Sequence, residues 1–271
     1  MNKRVWITGG IILLVLILLV SFSFKKGSSS FPGQKPAGPT SQALLSQAKA
    51  LQAKSDLLGA KAAYQKLVND FPNSGEVMNW QNKIEDINIK LLFSPALTPK
   101  SALYEIKPGD TLTKIAREFK TTPDLIKKSN NLSDDRINPG RKIKVWVAPF
   151  SILVDKSQNI LILKSDEEII KTYIVSTGKN NSTPVGNFKI TSKLINPTWF
   201  KAGAVVPAGT PENILGTRWM GIDRPSYGIH GTTEPQSLGK QVTQGCVRMS
   251  NPEVEELYTI VPVGTEVVIV D

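Results

Sequence analysis

Tyr227 to Asn251 reads YGIHGTTEPQSLGKQVTQGCVRMSN. It holds the only histidine of the chain, His230, and the only cysteine, Cys246. Any chemistry that needs an imidazole and a thiol must use this pair. A cysteine nucleophile acts as the thiolate, and a neighbouring imidazole can take its proton. Gly231 and Gly245 flank the two residues, and glycine lets the backbone turn sharply and a substrate come close. Main-chain amides around Gly245 and Cys246 are candidates for an oxyanion hole. If Cys246 to Met249 is extended, Cys246 and Arg248 point to one side. A cation there favours the thiolate and can hold a carboxylate. A lone histidine and a lone cysteine are more often structural, so the surrounding pattern has to decide.

Outward from this stretch, residues 150–271 have β character. Short apolar runs alternate with polar turns, and strands are expected at 152–155, 160–163, 169–176, 188–191 and 266–270. One late helix is expected at 252–259, capped by Ser250 or Asn251. The local patterns are His-Gly-Thr (230–232), Ser-Leu-Gly (237–239) and Thr-Gln-Gly-Cys-Val-Arg-Met (243–249). Together they resemble the catalytic signature of the L,D-transpeptidase catalytic domain family. Ser-Thr-Gly-Lys (176–179), Thr-Pro-Val-Gly-Asn-Phe (183–188) and Leu-Gly-Thr-Arg-Trp-Met (215–220) agree with it. The resemblance covers residues 150–271 and implies a mainly-β catalytic domain.

It also implies a mechanism. Cys246 would attack the amide after the L-centre of the diaminoacyl residue in a peptidoglycan tetrapeptide stem. D-alanine would leave, with His230 passing protons. A side-chain amine of a neighbouring stem would then take the acyl group, giving a 3→3 cross-link. The Gly231 carbonyl would orient the imidazole, and Thr243 would supply a hydroxyl that is usually serine's. Gly245 and Arg248 complete the implied set. Gln244 departs from the histidine common at its position. The same acyl-enzyme admits other acceptors: water gives an L,D-carboxypeptidase, a free D-amino acid gives exchange, and a protein amine gives anchoring. No cofactor, metal or ATP is implied. A non-catalytic wall-binding scaffold is the competing class, and the intact His230, Cys246 and Arg248 argue against it.

Residues 101–148 form a second unit. A strand at Leu103–Ile106 meets a Pro108–Gly109 turn. Asp110 or Thr111 can cap a helix with Leu112, Ile115, Ala116 and Phe119 on one face. Thr121 or Thr122 caps a second helix with Pro123 at its first position and Leu125 and Ile126 inward. Asn138-Pro139-Gly140 turns into a strand at 142–147. This βααβ unit resembles the lysin motif (LysM), including Pro-Gly-Asp-Thr-Leu and Asn-Pro-Gly. The resemblance implies binding of N-acetylglucosamine polymers, notably peptidoglycan, in a groove. The groove positions are Gly109, Asp110, Thr111 and Leu112 on one loop, and Ile137, Asn138 and Pro139 on the other. Each is equally well explained by turn or cap geometry.

Val5 to Phe24 is a run without charge, long enough to span about 30 Å as a helix, the thickness of a bilayer core. A cleaved signal peptide competes, with Ser21 and Ser23 as small residues beside an ill-suited Phe22 and Phe24. An uncleaved single-pass anchor over residues 1–24 is expected, with the bulk outside the cytoplasm; cleavage of residues 1–23 would make the protein secreted. Residues 25–40 are rich in Gly, Ser and Pro and read as a tether. Residues 41–93 read as a helical hairpin, weakly like a tetratricopeptide repeat at Ala48, Ala60, Tyr64, Leu67 and Pro72. They are expected to be a spacer or a site for a protein partner. Residues 94–100 carry two prolines and read as a linker.

The chain has 271 residues, 40% hydrophobic and 21% charged, with 33 Lys+Arg against 23 Asp+Glu. That composition supports buried cores. One cysteine excludes an intramolecular disulfide and a lipidated N-terminal cysteine, and with one histidine it excludes a Cys/His zinc site. The net charge is +6 over residues 1–99, +5 over 100–149 and −1 over 150–271. No aromatic–basic interleaving marks nucleic acid as the partner. A polyanionic wall polymer or an anionic lipid surface accounts for the same excess.

Overall fold

Ser41–Ala53 (α1), Leu57–Asp70 (α2) and Val77–Leu92 (α3) are helices in a computed structural model that describes residues 40–201 and 203–271. The apolar run Val5–Phe24 and the tether as far as Pro39 lie outside the described residues. Among the described residues no helix is long and apolar enough to cross a membrane. Three helices stand where a hairpin was expected. Thr40 caps α1 by accepting the Ala43 amide, and Asp56 caps α2 by accepting the Gly59 amide. Between them Ser55 takes φ 60° and breaks the run. Ala48, Tyr64, Leu67, Trp80 and Ile87 form the core the three helices share.

The next unit pairs Ser101–Glu105 (β1) antiparallel with Lys142–Trp146 (β2), with Leu112–Glu118 (α4) and Pro123–Ser129 (α5) between them. Thr111, not Asp110, caps α4, and Thr122, not Thr121, caps α5. Asp110 instead accepts the Tyr104 hydroxyl and the Lys107 amide, both at 2.8 Å, and so shapes the turn.

The rest of the chain supplies Phe150–Asp155 (β3), Ile160–Ser165 (β4), Glu168–Ile174 (β5), Thr177–Gly178 (β6) and Gly186–Ile195 (β7). Trp199–Lys201 (β8) and Ala204–Val206 (β9) form a hairpin. Arg218–Ile222 (β10), Gly228–His230 (β11), Gln241–Thr243 (β12), Val247–Arg248 (β13), Asn251–Ile260 (α6) and Glu266–Val270 (β14) follow. Eight strands make one sheet in the order β13-β11-β10-β7-β14-β3-β4-β5. Neighbours are antiparallel except β14–β3 and β11–β13. Just beyond β5, Ser176 exchanges two main-chain bonds with Arg248 at 2.8 and 2.9 Å. The two ends of the sheet therefore meet at β13, one residue after Cys246. The late helix is α6, capped by Ser250. Its Val254, Leu257 and Ile260 are fully buried against the sheet.

The three units are not beads on a string. β5 is an edge strand, and an edge leaves main-chain groups unpaired. Glu85 of α3 accepts the Thr172 amide and hydroxyl, both at 3.1 Å. Asn88 donates to the carbonyls of Ile169 and Ile170 at 3.1 and 3.2 Å. One face of α3 thus closes the edge of the sheet, which a spacer would not do. In α5 the adjacent residues divide their burial: Ile126 enters the core of its own unit, while Leu125 enters the core of the large sheet. The expectation that both face inward holds, but toward different cores. Lys144 is buried in β2 and donates to the carbonyls of Leu91, in the last turn of α3, and Ser94, just beyond it, at 2.5 and 2.8 Å.

Candidate active site

His230 ends β11, with β10 on one side and β13 on the other. The register places it opposite Trp219 and opposite Arg248. Residues paired in a ladder share a face, and so do residues two apart in a strand. Cys246 immediately precedes β13, and the parallel pairing continued back by one residue would set it on that face, diagonal to His230. The Trp219 ring stacks on the imidazole, with centroids 5.8 Å apart and planes 19° apart.

The imidazole is 2% exposed. Its Nδ1 lies 2.7 Å from the Gly231 carbonyl oxygen. A carbonyl only accepts, so Nδ1 carries the hydrogen and Nε2 keeps its lone pair. Burial pushes the imidazole pKa down to about 4 against that bond, with the Arg248 charge adding to the fall. His230 is therefore a neutral base at neutral pH.

Cys246 is half-buried. Burial raises its thiol pKa, against the Gly228 amide and the Arg248 charge. The expected bias of Arg248 toward the thiolate is present but outweighed. The Sγ atom lies 3.5 Å from the Ser226 carbonyl, which suits a protonated thiol. Arg248 is itself committed: its Nη1 donates to Glu234 at 2.8 Å and to Ser237 at 3.0 Å. Its buried Nε finds no partner among the described residues.

The Thr243 hydroxyl ties two main-chain groups of the loop before Cys246. Thr243 Oγ1 donates to the Cys246 carbonyl at 2.7 Å and accepts the Gly245 amide at 3.1 Å. That amide was a candidate for the oxyanion hole and is occupied here. Gly245 has φ +131°, and a Cβ there would lie 2.6 Å from Tyr227 Cε1. Gln244 is exposed.

Several contributors escaped sequence reasoning. Asn251 Oδ1 accepts the amides of Thr217 and Thr232, at 3.2 and 3.0 Å. The Thr232 amide shares a peptide unit with the Gly231 carbonyl that holds His230. Asn251 was visible only as a cap candidate, and it occupies the first turn of α6 instead. Trp219 and Thr183 lay inside the quoted segments without a role. Glu234 and Ser237 sat in the quoted stretch with no spacing rule to mark them as partners of Arg248.

The L,D-transpeptidase catalytic domain family matches residues 149–269, and the LysM domain family matches residues 104–146. YkuD of Bacillus licheniformis, an L,D-transpeptidase by name, is 35% identical over 173 residues, which span 61% of this chain and 96% of that protein. The chain belongs to the L,D-transpeptidase family. Its counterpart in Bacillus subtilis strain 168 is 34% identical over 61% of this chain and 97% of that one. A solved L,D-transpeptidase from Mycobacterium smegmatis has 21% identity and a TM-score of 0.40, over 49% of this chain and 64% of that chain.

The LysM domain ahead of the transpeptidase domain points to peptidoglycan. Its two candidate loops flank the end of the β1–β2 ladder, where the Gly140 amide donates to the Ile106 carbonyl at 2.8 Å. Gly109, Thr111, Asn138 and Pro139 are exposed, and Asp110 and Ile137 are half-buried. The Leu112 side chain lies in the core of the domain, so only its backbone is offered to a ligand there. Among the described residues no cluster of three or more His, Cys, Asp or Glu could hold a metal.

Proposed function

We propose that this L,D-transpeptidase acts outside the cytoplasm and forms 3→3 cross-links in peptidoglycan through an acyl-enzyme on Cys246. The observation that carries the reading is the Nδ1 contact of His230 with the Gly231 carbonyl, because it leaves Nε2 as a base on the face of Cys246. Both groups rest neutral, so the thiolate forms during attack rather than before it.

In the first half-reaction Sγ bonds to the carbonyl carbon of the diaminoacyl–D-Ala amide, and His230 takes the thiol proton. The C–N bond breaks, and His230 returns the proton to the departing amine of D-alanine. In the second half-reaction the side-chain amine of a neighbouring stem attacks the thioester carbon, His230 takes its proton, and as the C–S bond breaks His230 returns that proton to the Cys246 sulfur. The amide of Cys246 stabilises the oxyanion in both, since the Gly245 amide is held by Thr243. The unpaired Nε of Arg248 is suited to a stem carboxylate. The LysM loops at 109–112 and 137–139 hold the glycan strand. An anchor at Val5–Phe24 holds the chain at the membrane.

The test uses a fragment from Ser28 onward and its Cys246→Ala form. Each is incubated with a disaccharide-tetrapeptide, and the masses of protein and products are read. A Cys246-dependent acyl-enzyme, loss of D-alanine and a cross-linked dimer support the proposal. Loss of D-alanine without dimer redirects it to another acceptor. No Cys246-dependent product from a folded fragment that still binds peptidoglycan overturns it in favour of a scaffold.

A further inference from the structure

Thr183 lies between β6 and β7, remote in sequence from the His230–Cys246 stretch, and is buried. Its hydroxyl donates to the Gly245 carbonyl at 2.9 Å and accepts the Gly178 amide at 2.7 Å. The Gly245 carbonyl and the Cys246 N–H belong to one peptide unit. A trans peptide is planar, with its C=O and N–H pointing in opposite directions. A bond that fixes the carbonyl therefore fixes where the Cys246 N–H points. It also polarises the unit and strengthens that N–H as a donor.

Glycine at 245 makes this peptide soft if left alone. Its φ of +131° lies where nothing intrinsic confines it, so the hold has to come from outside. Behind Thr183 stands Lys156, 2% exposed. Its Nζ donates to the Thr183 carbonyl at 3.0 Å and lies 3.7 Å from Asp271 Oδ1. Asn181 of the same loop donates to the other oxygen of Asp271 at 3.0 Å. A buried ammonium is poor value for stability compared with an apolar side chain. This one fixes the backbone of the residue that holds the Gly245 peptide.

We propose that Thr183 is a positioning residue that aims the Cys246 amide at the developing oxyanion, with Lys156 holding Thr183 in place. This rests on the transpeptidase reading above. Two readouts on the full chain separate aim from simple folding. Iodoacetamide alkylates the single thiol without building an oxyanion. Acylation by a disaccharide-tetrapeptide, followed as D-alanine release, does build one.

Thr183→Val is expected to slow acylation about 100-fold, the scale of losing an oxyanion donor, with KM nearly unchanged. Alkylation of the same variant is expected to stay within about threefold, since it makes no use of that donor. Thr183→Ser restores acylation to within about threefold of the unsubstituted chain, because it keeps the hydroxyl. Lys156→Met gives a smaller loss of acylation, about tenfold, as a modest misplacement would. Acylation preserved in Thr183→Val overturns the proposal. So does a parallel fall of acylation and alkylation, which would make the residue merely structural. An unsubstituted chain that is alkylated but releases no D-alanine overturns the transpeptidase reading and this inference with it.

Discussion

Asn251→Ala should destabilise the protein out of proportion to the size of the side chain. Asn251 Oδ1 accepts the Thr217 and Thr232 amides at 3.2 and 3.0 Å. It also fills the space that any Cβ on Gly216 or Gly231 would enter, 2.2 Å from each. Water cannot easily replace it there, and Thr232 is buried. Two main-chain donors left without partners cost about 1–3 kcal/mol each, so a loss of about 2–6 kcal/mol is expected. For a unit of this size that corresponds to a fall in Tm of roughly 4–24 °C by calorimetry. Asn251→Asp keeps the acceptor and adds a negative charge in the first turn of α6, where it is favourable. It should stay within about 1 kcal/mol of the unsubstituted chain. The Thr232 amide and the Gly231 carbonyl share a peptide unit, so Asn251→Ala should also loosen the imidazole and slow turnover. An Asn251→Ala protein that melts within about 2 °C of the unsubstituted chain refutes the reasoning, as does an Asp variant as unstable as the Ala variant.

His230 should make stability depend on pH in a defined direction. Its pKa is lowered to about 4 by burial, so the unfolded chain binds the proton first. Stability is then fully present above about pH 6.5 and falls as the pH drops toward 4, by roughly 3 kcal/mol in all. Urea titrations at pH 7 and 4.5 should show the loss, and His230→Gln should remove that share of it. Glu85→Ala should leave the Thr172 amide without its acceptor, at a cost of about 1–3 kcal/mol. Hydrogen exchange at Thr172 should accelerate, while exchange in the centre of the sheet at β14 changes far less. Gly245→Ala forces a side chain into φ +131° and into Tyr227. A stability loss of about 1–3 kcal/mol is expected. Acylation of Cys246 should fall below detection by mass spectrometry even at temperatures where the variant is folded.

Strands β3, β4 and β14 were legible because β-branched runs with polar punctuation have few other folds available. The candidate stretch around His230 and Cys246 was legible because its local pattern resembles a family signature; the scarcity of cysteine and histidine narrowed the choice but did not decide it. What escaped was whatever depends on a partner distant in sequence. Leu125 and Ile126 look alike in any helical pattern, yet they enter different cores. Glu85 and Asn88 look like the polar face of a solvated helix, and only the exposed edge of β5 gives them acceptors and donors to meet. The strands β8, β9 and β11, of three residues each, are too short for periodicity to register. The Gly245 amide was read as a candidate oxyanion-hole donor, but its commitment to Thr243 needs the loop geometry to be seen.

The basic excess changes meaning in the same light. Counted along the chain, it suggests a surface waiting for a polyanion. Part of it is internal. Lys144 and Lys193 are both pushed down to about 8 by burial. Lys144 donates to carbonyls at the end of α3. Lys193 donates to those of Tyr258 and Val261, at 2.6 and 2.8 Å, at the end of α6. The last carbonyls of a helix have no partner within it, and that end attracts positive charge. Lys61 and Lys100 converge on Glu168 and join α2 and the linker to the sheet. Neither Lys100 nor Lys144 faces outward as a free cation. Attraction to an anionic polymer therefore falls to the remaining surface lysines and arginines, while these joints should hold the LysM domain at a fixed attitude to Cys246 even at high salt. Screening acts on exposed charges and much less on buried ones. Raising ionic strength should accordingly weaken glycan binding without loosening the catalytic domain from its neighbours, and small-angle scattering across a salt series distinguishes the two effects.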